Sequence, residues 1–111
     1  VIDVSGGSDP AALIVLVNPK VELEEGESRD EEGCLSFPEI VLTVKRPARV
    51  VISGQNIEGT PVSFEAEGLL ARCLHHEIDH LDGVLFIDRV SPLKRDMTRR
   101  RIAKRIRAGD W

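Results

Sequence analysis

The spacing of apolar residues changes period once along this chain, and the change separates a strand-rich part from a helical part. Up to about residue 66, apolar residues come in short runs or alternate with polar ones, the period-2 pattern of half-buried strands. Residues 1–4 form a short apolar run that reads as the middle of a strand, broken by the loop composition Ser5-Gly6-Gly7-Ser8-Asp9-Pro10. Residues 12–17 are continuously apolar and of strand length, closed by Asn18-Pro19. Val21 and Leu23 alternate with Glu22 and Glu24, predicting a half-exposed strand that runs into an acidic loop. Residues 40–44 and 49–52 predict two more strands, separated at Pro47. Asn56 and Gly59 mark a hairpin turn, followed by alternating Val62, Phe64 and Ala66.

From residue 67 to 81 the apolar spacing becomes helical, and Asp82-Gly83 ends the helix. Residues 84–87 make a short apolar return. Ser91 as N-cap and Pro92 at the first position then open a second helix over 92–108. Its apolar side consists of Met97, Ile102, Ala103 and Ile106. Several strands and two helices without βαβ alternation predict an α+β fold. The expected architecture is small mixed or antiparallel β-sheets packed around a central helix, with a C-terminal helix added, in a single domain over 1–111.

Length and charge narrow the picture only partly. With 111 residues and 41% hydrophobic content, one domain is the ceiling. A net charge of −4 and a pI near 5.4 argue against a general nucleic-acid binder. The net figure hides an asymmetry. Glu22, Glu24, Glu25, Glu27, Asp30, Glu31 and Glu32 form an acidic run, whereas Lys94, Arg95, Arg99, Arg100, Arg101, Lys104, Arg105 and Arg107 gather near the end. Solvated loops and helix faces account for most such runs. Cys34 and Cys73 are too few for a disulfide framework. No membrane-spanning stretch, signal peptide or lipidation motif is evident, so no membrane partner is expected. The opening Val1-Ile2-Asp3-Val4 reads as a start inside a domain.

The candidate chemistry lies in the first helix. His76-Glu77-Ile78-Asp79-His80 reads H-E-x-x-H, and residues i and i+4 share one helix face. Two imidazoles there can reach one divalent metal, with Glu77 about 100° further round and within reach of a water on it. The bland alternative is a surface helix with solvated histidines. The apolar flanks (Leu69, Leu70, Cys73, Leu74, Ile78, Leu81) argue instead for burial, and buried imidazoles need partners. On a helical wheel Leu69, Cys73, His76 and His80 share one sector, and Leu70, Leu74, Ile78 and Leu81 form the core face. Glu77 lies between them. His75 falls on the far flank with Asp79, which removes it from the ligand candidates. A catalytic centre needs a third protein ligand. Cys34, Cys73 and several carboxylates are candidates, and Cys34, in the tight Glu32-Gly33-Cys34-Leu35-Ser36 turn of another segment, closes the geometry better than a third ligand from one straight helix.

Here the sequence resembles a known family. Glu32-Gly33-Cys34-Leu35-Ser36-x-Pro38 looks like the second signature of peptide deformylases, and His76-Glu77-Ile78-Asp79-His80-Leu81-x-Gly83 looks like the third. The likeness runs from Val1 to about Arg95. The resemblance implies removal of the N-formyl group from the N-terminal formyl-methionine of nascent polypeptides. It implies one divalent metal held by Cys34, His76 and His80, Fe(II) in the cell, with zinc, nickel or cobalt as substitutes. Glu77 is implied as general base and proton shuttle, and the Leu35 backbone N–H as an oxyanion donor. Gly33 pairs with the substrate backbone in this reading, while Leu69, Cys73 and the stem of Arg72 wall the methionine pocket. Glu32 is a candidate partner for Arg46 in bracing the cysteine turn. A C-terminal helix of deformylases docks on ribosomes, which makes 92–108 a candidate ribosome contact. The implied location is the bacterial cytoplasm, or an organelle.

Two departures stand out. The family usually has Gln where this chain has His75, off the metal sector. The family's first signature, G-x-G-x-A-A-P-Q, which carries a second oxyanion donor, is absent. The chain therefore reads as the C-terminal two-thirds of a deformylase domain, with an N-terminal segment to be supplied. Two rival readings remain at this point. One is another H-E-x-x-H metallopeptidase, against which the Cys34 turn argues. The other is an inactive metal-binding fragment whose basic helix docks on RNA.

Overall fold

The computed structural model describes all residues, 1–111. The chain forms two compact units, Val1–Ser28 with Arg46–Gly83, and Arg29–Lys45 with Val84–Trp111. The elements are strands β1 (Val17–Glu25), β2 (Ser28–Cys34), β3 (Phe37–Arg46), β4 (Arg49–Gln55) and β5 (Pro61–Glu67), helix α1 (Gly68–Leu81) and helix α2 (Pro92–Arg107). Short 3-10 turns lie at Pro10–Ala12 and Phe86–Arg89. The α+β class follows, with antiparallel pairing in the larger sheet.

In the first unit, β4 is the centre of a three-stranded sheet ordered β1-β4-β5. Val50 and Ile52 alternate inward on β4 and stand opposite Ala66 and Phe64 of β5. Against this face α1 lays Ala71, Leu74 and Ile78, closing one apolar core. Fully burying side chains of this size stabilises by about 1.5–3 kcal/mol each, so the core fixes which side of α1 faces in. The β4–β5 turn is built as its composition predicts, with Asn56 Oδ1 accepting from Glu58 N and Thr60 N, and Gly59 at φ 82°. Gly83, at φ 76°, follows the end of α1.

The N-terminal strands differ from expectation. Residues 1–4 form only an isolated bridge, Ile2 to Ile14, and 12–17 split between a 3-10 turn and β1. β1 runs straight through Asn18-Pro19, with Asn18 at φ 51° and register shifts either side of Lys20–Val21. An edge strand tolerates a proline because its outward N–H has no ladder partner to lose. The expected acidic loop is largely strand, since β2 begins at Ser28. Asp30 and Glu31 keep their charges in water on this strand, whereas Glu32 is buried.

In the second unit, β2 and β3 form a two-stranded sheet joined through Leu35-Ser36. Ile40 and Val44 of β3 pack with Phe86 and Ile87, and Phe37 lies 5.5 Å from Phe86 between ring centroids. Ser91 caps α2 by accepting from Lys94 N at 3.3 Å, with Pro92 in the first turn, as expected. The apolar side of α2 is narrower than predicted. Ile102 packs on the core, but Met97 and Ile106 are exposed and the buried residue is Thr98, whose hydroxyl donates back to Lys94 O. No helix is long and apolar enough to cross a membrane, which leaves strand-built spans unaddressed.

Candidate active site

Helix α1 carries the site, and its orientation follows from the core beneath it. With Leu74 and Ile78 turned to the sheet, His76 and His80 come to lie half-buried on the neighbouring face. Their Nε2 atoms point at each other 3.1 Å apart, with ring centroids separated by 4.9 Å. Two imidazole nitrogens on one tetrahedral ion at the usual ~2.0–2.1 Å bond length stand about 3.3 Å apart. The pair is therefore shaped to share a divalent ion with little movement. Glu77, between them in sequence, is exposed at the mouth of an apolar cleft of about 220 Å³. Ile2, Ile14, Leu16, Leu74, Ile78 and Leu81 are among the cleft's walls, and Glu77 and His80 are its ionisable side chains. Leu69, Arg72 and Cys73, the expected pocket walls, do not line this cleft; a carboxylate and an imidazole nitrogen at its edge are groups that can together activate a water.

The other predicted residues fall as follows. Cys34 ends β2, half-buried and packed against the Ile40–Val44–Phe86–Ile87 cluster, and is not in a disulfide. Leu35, at the hairpin turn, has its side chain wholly in solvent. Gly33 is exposed on β2, where an added Cβ would stand 3.7 Å from Ile40 O, so space alone does not demand glycine there. Leu69 is exposed and Cys73 half-buried on the His76 side of α1. Arg72 is buried, with its guanidinium donating to Ser28 O at 2.8 Å. Leu81, placed on the core face by the wheel, is 70% exposed. It lies at the helix end, past the edge of the sheet core that Ile78 still reaches.

His75 shows why it is not a ligand. Its ring is buried, and both nitrogens are engaged. Nδ1 lies 2.8 Å from Arg46 Nη1, and Nε2 lies 2.9 Å from Glu24 Oε1. A guanidinium only donates, so Nδ1 must accept and the ring proton sits on Nε2, donating to Glu24. The same Arg46 Nη1 donates to Asp79 Oδ2 at 2.8 Å, one helical turn along α1. Arg46, its side chain fully buried, is thus the centre of a polar cluster drawn from β1, the end of β3 and α1. Reading the sequence did not find this cluster. The available signal was that His75 and Asp79 repeat the i, i+4 spacing one residue out of phase with His76 and His80.

Comparison with known proteins identifies the lineage. A model of the polypeptide deformylase family matches residues 1–96. The chain belongs to the polypeptide deformylase family. A peptide deformylase from Acidobacterium capsulatum is 50% identical over 111 residues, covering 100% of this chain and 65% of that protein. One from Thermodesulfovibrio yellowstonii is 50% identical over 101 residues, covering 91% of this chain and 61% of its own length. The crystal structure of a peptide deformylase from Legionella pneumophila superposes with a TM-score of 0.82 at 45% identity, covering 97% of this chain and 63% of that one. The chain thus spans a little over three-fifths of the length of these relatives. The family match ends at residue 96, so most of α2 lies beyond it.

Proposed function

We propose that this chain carries the metal centre and general base of a deformylase that removes the formyl group from N-terminal formyl-methionine of nascent polypeptides. The observation that carries the reading is the convergence of His76 and His80 Nε2 beside Glu77 at an apolar cleft, in a member of a metal-dependent family. Cys34 is the proposed third ligand. Two imidazoles and a thiolate are a donor set for a soft to borderline divalent ion, Fe(II) in the cell, with zinc, nickel or cobalt able to replace it. Such an ion supplies Lewis acidity toward the formyl oxygen and lowers the pKa of water.

The chain's own groups supply the rest. The Glu77 carboxylate takes a proton from the attacking water as it adds to the formyl carbon. It then passes that proton to the amine that leaves as the C–N bond breaks, giving formate and a free N-terminus. The Leu35 backbone N–H donates to the oxyanion and Gly33 pairs with the substrate backbone. Leu69, Cys73 and the Arg72 stem wall the methionine pocket. The second oxyanion donor, the glutamine of the family's first signature, has no counterpart in this sequence, and in this reading a segment outside it supplies that group. One missing donor of this kind costs about 10²–10³ in turnover.

The site of action in this reading is the bacterial cytoplasm, where nascent chains emerge. The exposed basic side chains of α2 support a docking role for that helix on the ribosome. The central test measures formate release from a formyl-methionyl peptide in parallel with cleavage of ordinary peptides. Deformylation without peptide-bond cleavage is expected, and cleavage without deformylation would overturn the assignment in favour of a metallopeptidase. For α2, replacing Arg99, Arg100 and Arg101 together by Glu is expected to abolish ribosome co-sedimentation, and unchanged binding would end the docking idea.

A further inference from the structure

We propose that His75 is a positioning residue that, through Arg46, holds the ligand face of α1 in register, and that it does so as a neutral donor–acceptor which glutamine can replace. The inference rests on the metal reading above and adds a residue to it. Arg46 Nη1 is shared between His75 Nδ1 and Asp79 Oδ2, both at 2.8 Å and one helical turn apart. That shared nitrogen fixes the rotation of α1 about its axis relative to the end of β3. His75 Nε2–H, donating to Glu24 Oε1 at 2.9 Å, ties the same helix face to β1. His76 is the next residue, and its Nδ1 lies 3.5 Å from Arg46 Nη2. A preorganised centre tolerates errors of only ~0.5 Å and about 10–20°, so a small roll of α1 would turn the His76 and His80 nitrogens off their common point.

The chemistry of position 75 follows from the bonds. The residue must accept from a guanidinium at one atom and donate to a carboxylate at another. Imidazole protonated on Nε2 does both. A glutamine amide also does both, by its oxygen and its NH₂. Leucine, similar in bulk, does neither, and leaves a buried guanidinium hydrogen without its acceptor.

The test titrates the full chain with Co(II) against a competing chelator, reading both affinity and the visible spectrum of the bound ion. Folding of each variant is checked by circular dichroism. Wild type is expected to bind one ion; if it binds none, the metal reading and this inference fall together. Given wild-type binding, H75L is expected to lose about 10–100-fold in Co(II) affinity, the usual cost of removing a group that orients a ligand, with an altered spectrum. H75Q is expected to stay within about threefold of wild type with an unchanged spectrum, by the same reasoning. If H75L is merely less stable yet binds Co(II) like wild type, or if H75Q loses as much as H75L, the positioning role is refuted while the metal reading stands. Should H75L fail to fold, E24A decides. Its side chain is half exposed and its removal takes away only the Nε2 anchor, so weakened Co(II) binding supports the proposal and unchanged binding overturns it.

Discussion

Helix α1 carries two pairs of polar residues at the same i, i+4 spacing, one residue out of phase, and they end in opposite circumstances. His75 and Asp79 are buried and grip Arg46, a cation that belongs to the chain. His76 and His80 are half-buried and face each other nitrogen to nitrogen beside an apolar cleft. Spacing alone does not distinguish the pairs. Burial decides what each can hold. A buried carboxylate and imidazole need a permanent partner, because leaving them bare would cost several kcal/mol. A pair with access to solvent can instead be served by an ion that arrives from outside. In the proposed function the inner pair serves folding and the outer pair chemistry.

That contrast predicts a crossed pattern of mutational effects. The largest concerns the outer pair. His80→Ala or Cys34→Ala is expected to abolish stoichiometric metal in elemental analysis of the purified chain, whereas Cys73→Ala should retain it. Loss of metal in Cys73→Ala but not in Cys34→Ala would reverse the ligand set. Next, Glu77→Gln should keep its metal and lose about 10²–10⁴ in deformylation rate, the usual worth of a positioned acid–base group. Substantial remaining turnover would remove Glu77 as the base. The inner pair should respond in stability. Asp79→Ala removes a carboxylate that accepts from buried Arg46 at 2.8 Å, which is expected to cost about 3–5 kcal/mol, read as a shift in the urea midpoint. A shift below 1 kcal/mol would mean that the cluster is not what holds the helix. The smallest contrast is apolar. Leu74→Ala, in the core, should cost about 2–5 kcal/mol, while Leu81→Ala, exposed at the helix end, should stay within about 0.5 kcal/mol.

Much of the first unit was legible because its signals are local. The alternation of Val62, Phe64 and Ala66, the Asn56–Gly59 turn and the helical spacing ended by Gly83 each depend on neighbours within a few residues. The Ser91-Pro92 start of α2 is of the same kind. Errors arose where a long-range partner overrode composition. Asn18-Pro19 looked like the end of a strand, yet pairing with β4 carries β1 through it. The acidic run looked like a loop, yet β2 forms within it because β3 is there to pair with. Met97 and Ile106 had helical spacing but no facing surface to cover them.

The chain by itself determined the candidate chemistry, because H-E-x-x-H on a helix places two imidazoles and a carboxylate by backbone geometry alone, and its signatures determined the family resemblance. Tertiary structure alone decided the fate of the adjacent pair. Arg46 is 29 residues from His75 and Glu24 is 51 residues away, and no local pattern encodes which distant cation a buried carboxylate will meet. Only folding, by bringing β1, the end of β3 and α1 together, turned one i, i+4 pair into a brace and left the other as the candidate site.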